Sequence, residues 1–102
     1  MFKSTPFKRS QRVSDLIRKE VANIFLFELR DPRLKNITIS RVDMSDDLSN
    51  ATIYYFSNFL ETNKSEINKV LSKSNGFIKS TLGKRLSLKK IPNLFFKEEI
   101  DA

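Results

Sequence analysis

The sequence of 102 residues contains neither cysteine nor histidine, and it has only two glycines and three prolines. Without cysteine the chain can form no disulfide, no thiolate zinc site and no cysteine nucleophile. Without histidine it lacks the commonest general base and the commonest metal ligand. An enzyme that uses Asp, Glu, Lys or Tyr remains open, but most catalytic arrangements are excluded. We therefore expect a protein that is not an enzyme and that uses neither a metal ion nor a cofactor.

Long apolar segments are absent as well. No run of eighteen apolar residues is available to span a bilayer, and the basic N-terminal stretch lacks the apolar core of a secretory signal. We expect a cytoplasmic protein with no membrane partner and no small-molecule substrate. The length suits one compact domain, and 39% hydrophobic with 30% charged residues fits a folded chain.

The formal net charge of +7 is distributed unevenly along the chain. Residues 1–41 hold ten basic and four acidic side chains, whereas residues 42–66 hold one basic and five acidic side chains. Residues 67–97 contain eight basic residues and no acid, and the last five residues contain three acids. A cationic segment of this length predicts a polyanionic partner. A basic face that serves only solubility is the alternative.

Apolar residues at spacings of three and four predict two helical regions. Thr5-Pro6 is a candidate start of the first, and Asp31-Pro32 should end it, because proline disfavours the helical conformation in the residue before it. The second region runs from about Glu61 to Leu86. The predicted apolar stripes consist of Val13, Leu16, Ile17, Val21, Ile24, Phe25 and Leu29 in the first region, and of Ile67, Val70, Leu71, Phe77, Ile78, Leu82 and Leu86 in the second.

Three segments have the alternation and the β-branched content of strands. The first two, NITISRV and ATIYYFS, are separated by turn-forming residues 45–50 and should form an antiparallel hairpin. The third lies within LSLKKIPNLFFKE, where Pro92 must sit at an edge, at a bulge or at the strand's start. Because this strand follows a helical crossover, it should pair in parallel with a hairpin strand. The sequence thus predicts an α+β domain whose helices cover one face of a three-stranded sheet.

The second helical region contains the motif Ser74-Asn75-Gly76. Asn and Gly adopt left-handed backbone angles more readily than other residues, so the motif predicts a break between two helices. The N–H groups at the start of the later helix would then lack intrahelical partners and form a phosphate site. A plain cap that joins two core helices is the alternative. The basic residues around the motif favour the nucleic-acid interpretation.

The predicted order αββααβ resembles the type II KH class of RNA-binding domains. That class usually has a GxxG loop between its two helices, and this chain has none. One bacterial branch has instead a kinked helix–helix junction of the pattern Ala-x-Gly, and Ser74-Asn75-Gly76 stands at that place here. Over residues 9–96 the chain is similar to the ribosome-binding factor A family through several motifs in register: Asp31-Pro32-Arg33, Met44-Ser45-x-Asp47-Leu48, Gly76-Phe77-Ile78, Leu82-Gly83-Lys84-Arg85, and Pro92 with Leu94.

The resemblance implies a non-catalytic assembly factor. Such a factor binds free 30S ribosomal subunits, contacts 16S rRNA, and supports late maturation and processing of the 5′ end of that RNA, especially in the cold. We expect residues 1–8 to form a basic N-terminal arm, residues 9–97 a single KH-like RNA-binding domain, and residues 98–102 a short acidic end. The sequence gives no signal for oligomerisation, so we expect a monomer.

The predicted RNA contacts combine the Ser-Asn-Gly motif with the cations around it and a second patch at the start of the first helix. The motif should supply backbone donors, and the cations should contact phosphates. The predicted set is Lys69, Lys73, Ser74, Asn75, Gly76, Lys79, Lys84, Arg85, Lys89, Lys90, Arg9 and Arg12.

Other interpretations remain open. The Tyr54-Tyr55-Phe56 run suggests base stacking, but at strand spacing we interpret it as core and sheet packing. Asp43, Asp46 and Asp47 are interpreted as turn formers rather than as a cation site. The chain could alternatively be a general KH-type binder of single-stranded nucleic acid, DNA included, or a protein-docking module. A hydrolase that uses carboxylates ranks last, because the acids gather in a hairpin loop and at the C-terminal end.

Overall fold

The computed structural model describes residues 6–29, 31–34, 37–57 and 64–99. Residues 1–5, which belong to the predicted arm, lie outside the described residues. The same holds for residues 61–63 at the predicted start of the second helical region, and for residues 100–102. The elements are helix α1 (Pro6–Phe27), a 3-10 helix (Pro32–Leu34), strand β1 (Ile37–Met44), strand β2 (Asn50–Ser57), helix α2 (Lys64–Arg85) and strand β3 (Asn93–Glu98). The α+β class with a three-stranded sheet is confirmed.

Helix α1 begins at Pro6, whose fixed φ suits a first helical turn. It ends four residues before the predicted stop at Asp31. The N–H groups of Glu28 and Leu29 both donate to the carbonyl oxygen of Ile24 at 2.9 Å. These bonds give the Ile24 carbonyl its partners at the end of the helix, so α1 ends before Pro32.

The sheet has the order β1-β2-β3, so β2 is its central strand. β1 and β2 pair antiparallel, with a bulge at Ser40 where the register shifts between Ile39 and Arg41. β2 and β3 pair in parallel, from Asn50 opposite Asn93 to the end of β3. Both pairings confirm the prediction. Pro92 directly precedes β3, which is one of the places that proline can occupy without losing a ladder hydrogen bond.

The core lies between the sheet and the two helices. In β2, the buried residues Ala51, Ile53 and Tyr55 alternate with more exposed ones, as predicted. The side chains that are completely enclosed include Ile17, Val21 and Ile24 of α1 and Ile78 and Leu82 of α2. Two members of the predicted stripes are an exception, because Leu16 and Phe77 are each 48% exposed.

The predicted break at Ser74-Asn75-Gly76 is wrong. α2 runs without interruption from Lys64 to Arg85, and neither Asn75 nor Gly76 has a positive φ. The buried residues before and after Gly76 form one continuous stripe on the sheet, and a break would misalign its halves. A glycine inside a helix costs only about 1 kcal/mol, which this packing outweighs. The observed order is therefore αββαβ, and the N–H groups near Gly76 lie in a helix interior rather than at a helix start.

Candidate nucleic-acid interface

The first group of predicted site residues lies on the solvent-exposed face of α2, which we call the helix face. Lys69, Lys73, Gly76 and Lys84 are all exposed there. Their spacings of three, four and eight place them along one side of the helix. The structure thus brings three predicted cations together without the predicted break.

Gly76 leaves a bare patch of backbone in the middle of the helix face. Apart from the backbone of α2 itself and the two neighbouring residues, a Cβ added at this position would meet no atom of the described chain within 4 Å. The glycine is therefore not required by packing against another part of the described chain. Without a side chain, it allows a ligand to approach the helix backbone closely between Lys73 and Lys84.

The second group of predicted residues makes contacts within the fold. Asn75 donates from Nδ2 to the carbonyl oxygen of Leu94 at 3.0 Å, which ties α2 to β3. Lys79 Nζ donates to Asn93 Oδ1, also at 3.0 Å. Ser74, the first residue of the motif, is half-buried. Asn75 and Lys79 therefore hold the start of β3 against α2.

Arg85 connects the two helices. Its Nη1 lies 3.3 Å from Glu20 Oε1, and its Nη2 forms an ion pair with Glu28. Glu20 belongs to α1, and Glu28 directly follows its last residue. With its guanidinium directed at two acids, Arg85 is less available to a phosphate than its neighbour Lys84, for which no such pair exists among the described residues. Contact between Arg85 and RNA stays a prediction.

The third group lines a cavity of about 410 Å³, which we call the basic basin. Arg9 and Arg12 come from the start of α1, and Lys89 and Lys90 come from the segment between α2 and β3. All four side chains are exposed. Residues that are far apart in the sequence thus form one cationic rim.

The floor of the basic basin is apolar. It consists of Val13, Leu16, Leu48, Leu88 and Pro92. The exposure of Leu16 noted above occurs at this floor, so an apolar surface lies open to solvent among four cations. This combination suits a ligand that has both anionic and apolar parts.

Among the described residues, the one carboxylate that lines the basic basin, Asp47, is engaged in hydrogen bonds within the hairpin turn. Asp47 Oδ1 accepts hydrogen bonds from Ser49 Oγ at 2.7 Å, Ser45 Oγ at 2.8 Å and the Ser49 N–H at 3.1 Å. These bonds, led by that from the Ser49 hydroxyl, lower the pKa of Asp47 from 3.8 to about 2. Asp47 is thus a turn former, and among the described residues no group of three acids could hold a metal ion.

The Asp31-Pro32-Arg33 motif also has a structural role. Asp31 accepts from the Arg33 N–H at 2.9 Å, from its Nε at 3.0 Å and from its Nη2 at 2.7 Å. The Arg33 side chain is the main cause that lowers the pKa of Asp31 to about 2, and the charge of Lys73 adds a smaller effect. The motif therefore closes the loop after α1 and places an anion near the helix face.

The aromatic run in β2 behaves largely as interpreted. Tyr55 is buried, and Tyr54 is covered by the Arg41 guanidinium, whose carbon lies 3.8 Å from the ring centroid. Phe56 is exposed near the end of β2. Arg41 is held in turn by Asp43 and Glu99, so this cation is engaged within the fold.

The apolar floor of the basic basin is the part of the site that the sequence reading missed. A signal for it exists, because Arg9, Arg12 and Leu16 follow one another at spacings of three and four and share one side of α1. Assigning Leu16 to the buried stripe concealed that pattern. The contribution of Leu48 has no such local signal, since it depends on how the hairpin turn meets α1.

No helix in the described parts of the chain is long and apolar enough to cross a membrane. The chain matches known proteins over most of its length. A model of the family described as Ribosome-binding factor A matches residues 9–101. A relative from Syntrophus aciditrophicus with that name is 42% identical over 93% of this chain and 77% of its own length. One from Thermodesulfovibrio yellowstonii is 40% identical over 94% of this chain and 82% of its own length.

Solved structures agree with these matches. The solution structure of a Thermotoga maritima protein, described as a putative ribosome binding factor A, has a TM-score of 0.78 and 29% identity, and covers 98% of this chain and 95% of its own. A homology model of the Thermus thermophilus factor, fitted into the cryo-EM map of its complex with the 30S subunit, has a TM-score of 0.69 and 25% identity, and covers 82% of this chain and 88% of its own.

Proposed function

The chain belongs to the ribosome-binding factor A family, and we propose that it binds the free 30S ribosomal subunit by contacting 16S rRNA with its basic surface. The observation that carries the proposal is the display of seven cations: three on the helix face and four around the basic basin. None of the seven forms an ion pair with a described residue. Unpaired, exposed lysine and arginine side chains are the groups that contact RNA phosphates.

We propose further that binding supports late maturation of the subunit, including processing of the 16S rRNA 5′ end, especially in the cold. Membership of the family supports this role. The sequence supports it as well, because a chain without histidine and cysteine is better suited to holding RNA than to cutting it. The protein acts as a monomer in the cytoplasm.

Recognition on this surface works by charge and shape. Lysines along one side of a helix contact phosphates of the RNA backbone, and such contacts position a protein on RNA without reading its sequence. The bare backbone at Gly76 admits the ribose–phosphate chain between them. Helix-terminus binding of phosphate has no part in the mechanism, since α2 does not start at this point.

The experiment that tests the proposal measures binding to purified 30S subunits as a function of salt concentration. Neutralisation of ~4–6 phosphates predicts that log K falls with log salt at a slope of roughly −3.5 to −5. A response independent of salt would refute the electrostatic mechanism. Binding that survives complete ribonuclease digestion would indicate a protein partner instead.

A triple variant assigns the binding to the helix face. Replacement of Lys69, Lys73 and Lys84 by glutamine should weaken binding and reduce the salt slope by about three, one for each lost phosphate contact. The matched control replaces Arg18, Lys19 and Lys97, three cations outside the predicted set, and should leave the slope near that of the parent. An equal loss of binding affinity in both triple variants would indicate attraction by net charge alone.

A further inference from the structure

We propose that the basic basin holds one unpaired nucleotide of an RNA strand, with its base on the apolar floor and its flanking phosphates on the rim cations. The inference rests on the proposed function and names the part of the RNA that this site takes. It differs from the helix face, which contacts phosphates only.

The rim matches a strand that passes across the basic basin. Arg9 and Arg12 stand on α1, whereas Lys89 and Lys90 stand on the segment before β3, so two pairs of cations project from different elements. A nucleotide within a strand has one phosphate on each side of its sugar, so each pair of cations has a partner. A free anion would need only one of the pairs.

The floor matches a base rather than a third phosphate. Leu16 is half-exposed there, beside Leu48 and Leu88, and these side chains offer no hydrogen bond. The flat face of an unstacked base is an apolar surface that apolar side chains can cover. Bases in duplex RNA are stacked and their major groove is too narrow for side chains, so the ligand must be single-stranded. A cavity of about 410 Å³ has the size of a site for one small ligand.

The backbone at the floor is strained. Leu48 has a φ of 63°, and it is the only described residue other than glycine with a positive φ. Glycine or asparagine would occupy this conformation with little or no strain, whereas a leucine there is an outlier. Strain of this kind concentrates at binding sites, where a particular side chain is needed despite its cost. Here it places an apolar side chain at the floor of the basic basin.

The test measures how tightly the full chain binds a dye-labelled strand of eight uridines, by fluorescence anisotropy. The Leu16→Gln variant removes the apolar contact but keeps a good helix former, and it should weaken binding by about fivefold to tenfold. Leu26→Gln is the matched control, because Leu26 is also an exposed leucine on α1 but lies outside the basic basin. Leu16→Met keeps an apolar side chain and should bind as the parent does.

A strand of equal length without bases distinguishes the contribution of the floor to binding from that of the rim. The parent and Leu16→Gln should bind this abasic strand equally, whereas Arg9→Gln with Arg12→Gln should weaken both strands. If the parent binds the abasic strand as tightly as the uridine strand, or if Leu16→Gln binds uridines like the parent, the inference is overturned.

Parallel measurements on 30S subunits distinguish the inference from the proposed function. If the parent binds subunits and every basin variant binds both subunits and uridines like the parent, the inference fails and the function stands. If the parent does not bind subunits while its affinity for uridines depends on Leu16, the function fails and the inference stands. If the basin variants no longer bind 30S subunits but still bind the uridine strand, the basic basin holds a ribosomal protein, and the inference fails.

Discussion

Asn75 lies one residue before a glycine in the middle of α2, and its side-chain amide donates a hydrogen bond of 3.0 Å to the carbonyl oxygen of Leu94 in β3. The two residues are 19 positions apart in the sequence. The bond fixes the central turn of the helix to an edge strand of the sheet. An asparagine with the sequence context of a helix cap thus serves as a tertiary connection.

Replacement of Asn75 by alanine should destabilise the fold by about 1 kcal/mol, because the carbonyl of Leu94 loses its partner. Urea unfolding should show a lower midpoint with an unchanged slope. Ser72→Ala, at an exposed position on the same helix, is the control and should stay within about 0.5 kcal/mol of the parent. Equal stability of the Asn75 and Ser72 variants would argue against a bond of this strength.

Replacement of Gly76 by alanine should stabilise the fold by about 0.5–1 kcal/mol, because alanine is the better helix former and the added Cβ has open space. The thermal midpoint should rise accordingly. The same variant should bind 30S subunits less tightly, since the new methyl group covers the bare backbone of the helix face. A loss of stability would contradict this prediction.

Lys84 and Arg85 are adjacent cations with different expected roles. Arg85→Gln removes the ion pairs with Glu20 and Glu28 and should lower stability by up to about 1 kcal/mol, with a smaller effect on binding. Lys84→Gln should leave stability unchanged and reduce the salt slope of 30S binding by about one. Both variants lose one positive charge, so the contrast between them cannot arise from net charge. The reverse pattern would assign the phosphate contact to Arg85.

The hairpin turn should lose stability in acid because of Asp47. Its pKa is lowered from 3.8 to about 2 in the folded chain, so the unfolded chain binds the proton at higher pH. The contribution is therefore present above about pH 4 and is lost as the pH falls towards 2. Urea unfolding from pH 6 to pH 2 should show the stability of the parent approaching that of Asp47→Asn. A difference in the free energy of unfolding between the two proteins that stays constant from pH 6 to pH 2 would contradict this role for Asp47.

Comparison of the two proteins is necessary because Asp31 titrates over the same range. Its pKa is also lowered to about 2, by Arg33, and its contribution is lost at the same pH. Since Asp47→Asn leaves Asp31 unchanged, the effect of Asp31 appears in both curves and cancels in their difference.

Most of the fold could be predicted from the sequence, because it follows from periodicity. The stripe from Val13 to Leu29 identified α1, and the two β-branched segments identified the hairpin. Parallel pairing of β3 followed from the need to cross over α2. The break at Gly76 could not be judged in this way, because the local preference of Asn-Gly competes with a bond to Leu94 that only the folded chain reveals.

The residue types of the candidate site could be predicted from the sequence, but which of these residues lie together could not. The excess of cations after Ile67 pointed to RNA phosphates, and most of these cations are exposed. That Arg85 is directed at Glu20, 65 positions away, depends on how the helices pack. The meeting of Arg9 and Lys89 at one cavity likewise depends on the tertiary fold. Contact of each residue with RNA stays a prediction until the variants are measured.

The central position of β2 has a consequence for the order of folding. Its pairing with β1 spans a short turn, whereas its pairing with β3 must enclose all of α2. A still longer separation in sequence is bridged beyond the end of β3, where Ser40 Oγ donates to Glu99 Oε1 at 2.8 Å across 59 positions. Because closing longer loops costs more entropy, we expect the hairpin to form early and β3 to dock in the slow step. Changes at Glu99 should then alter the unfolding rate more than the folding rate.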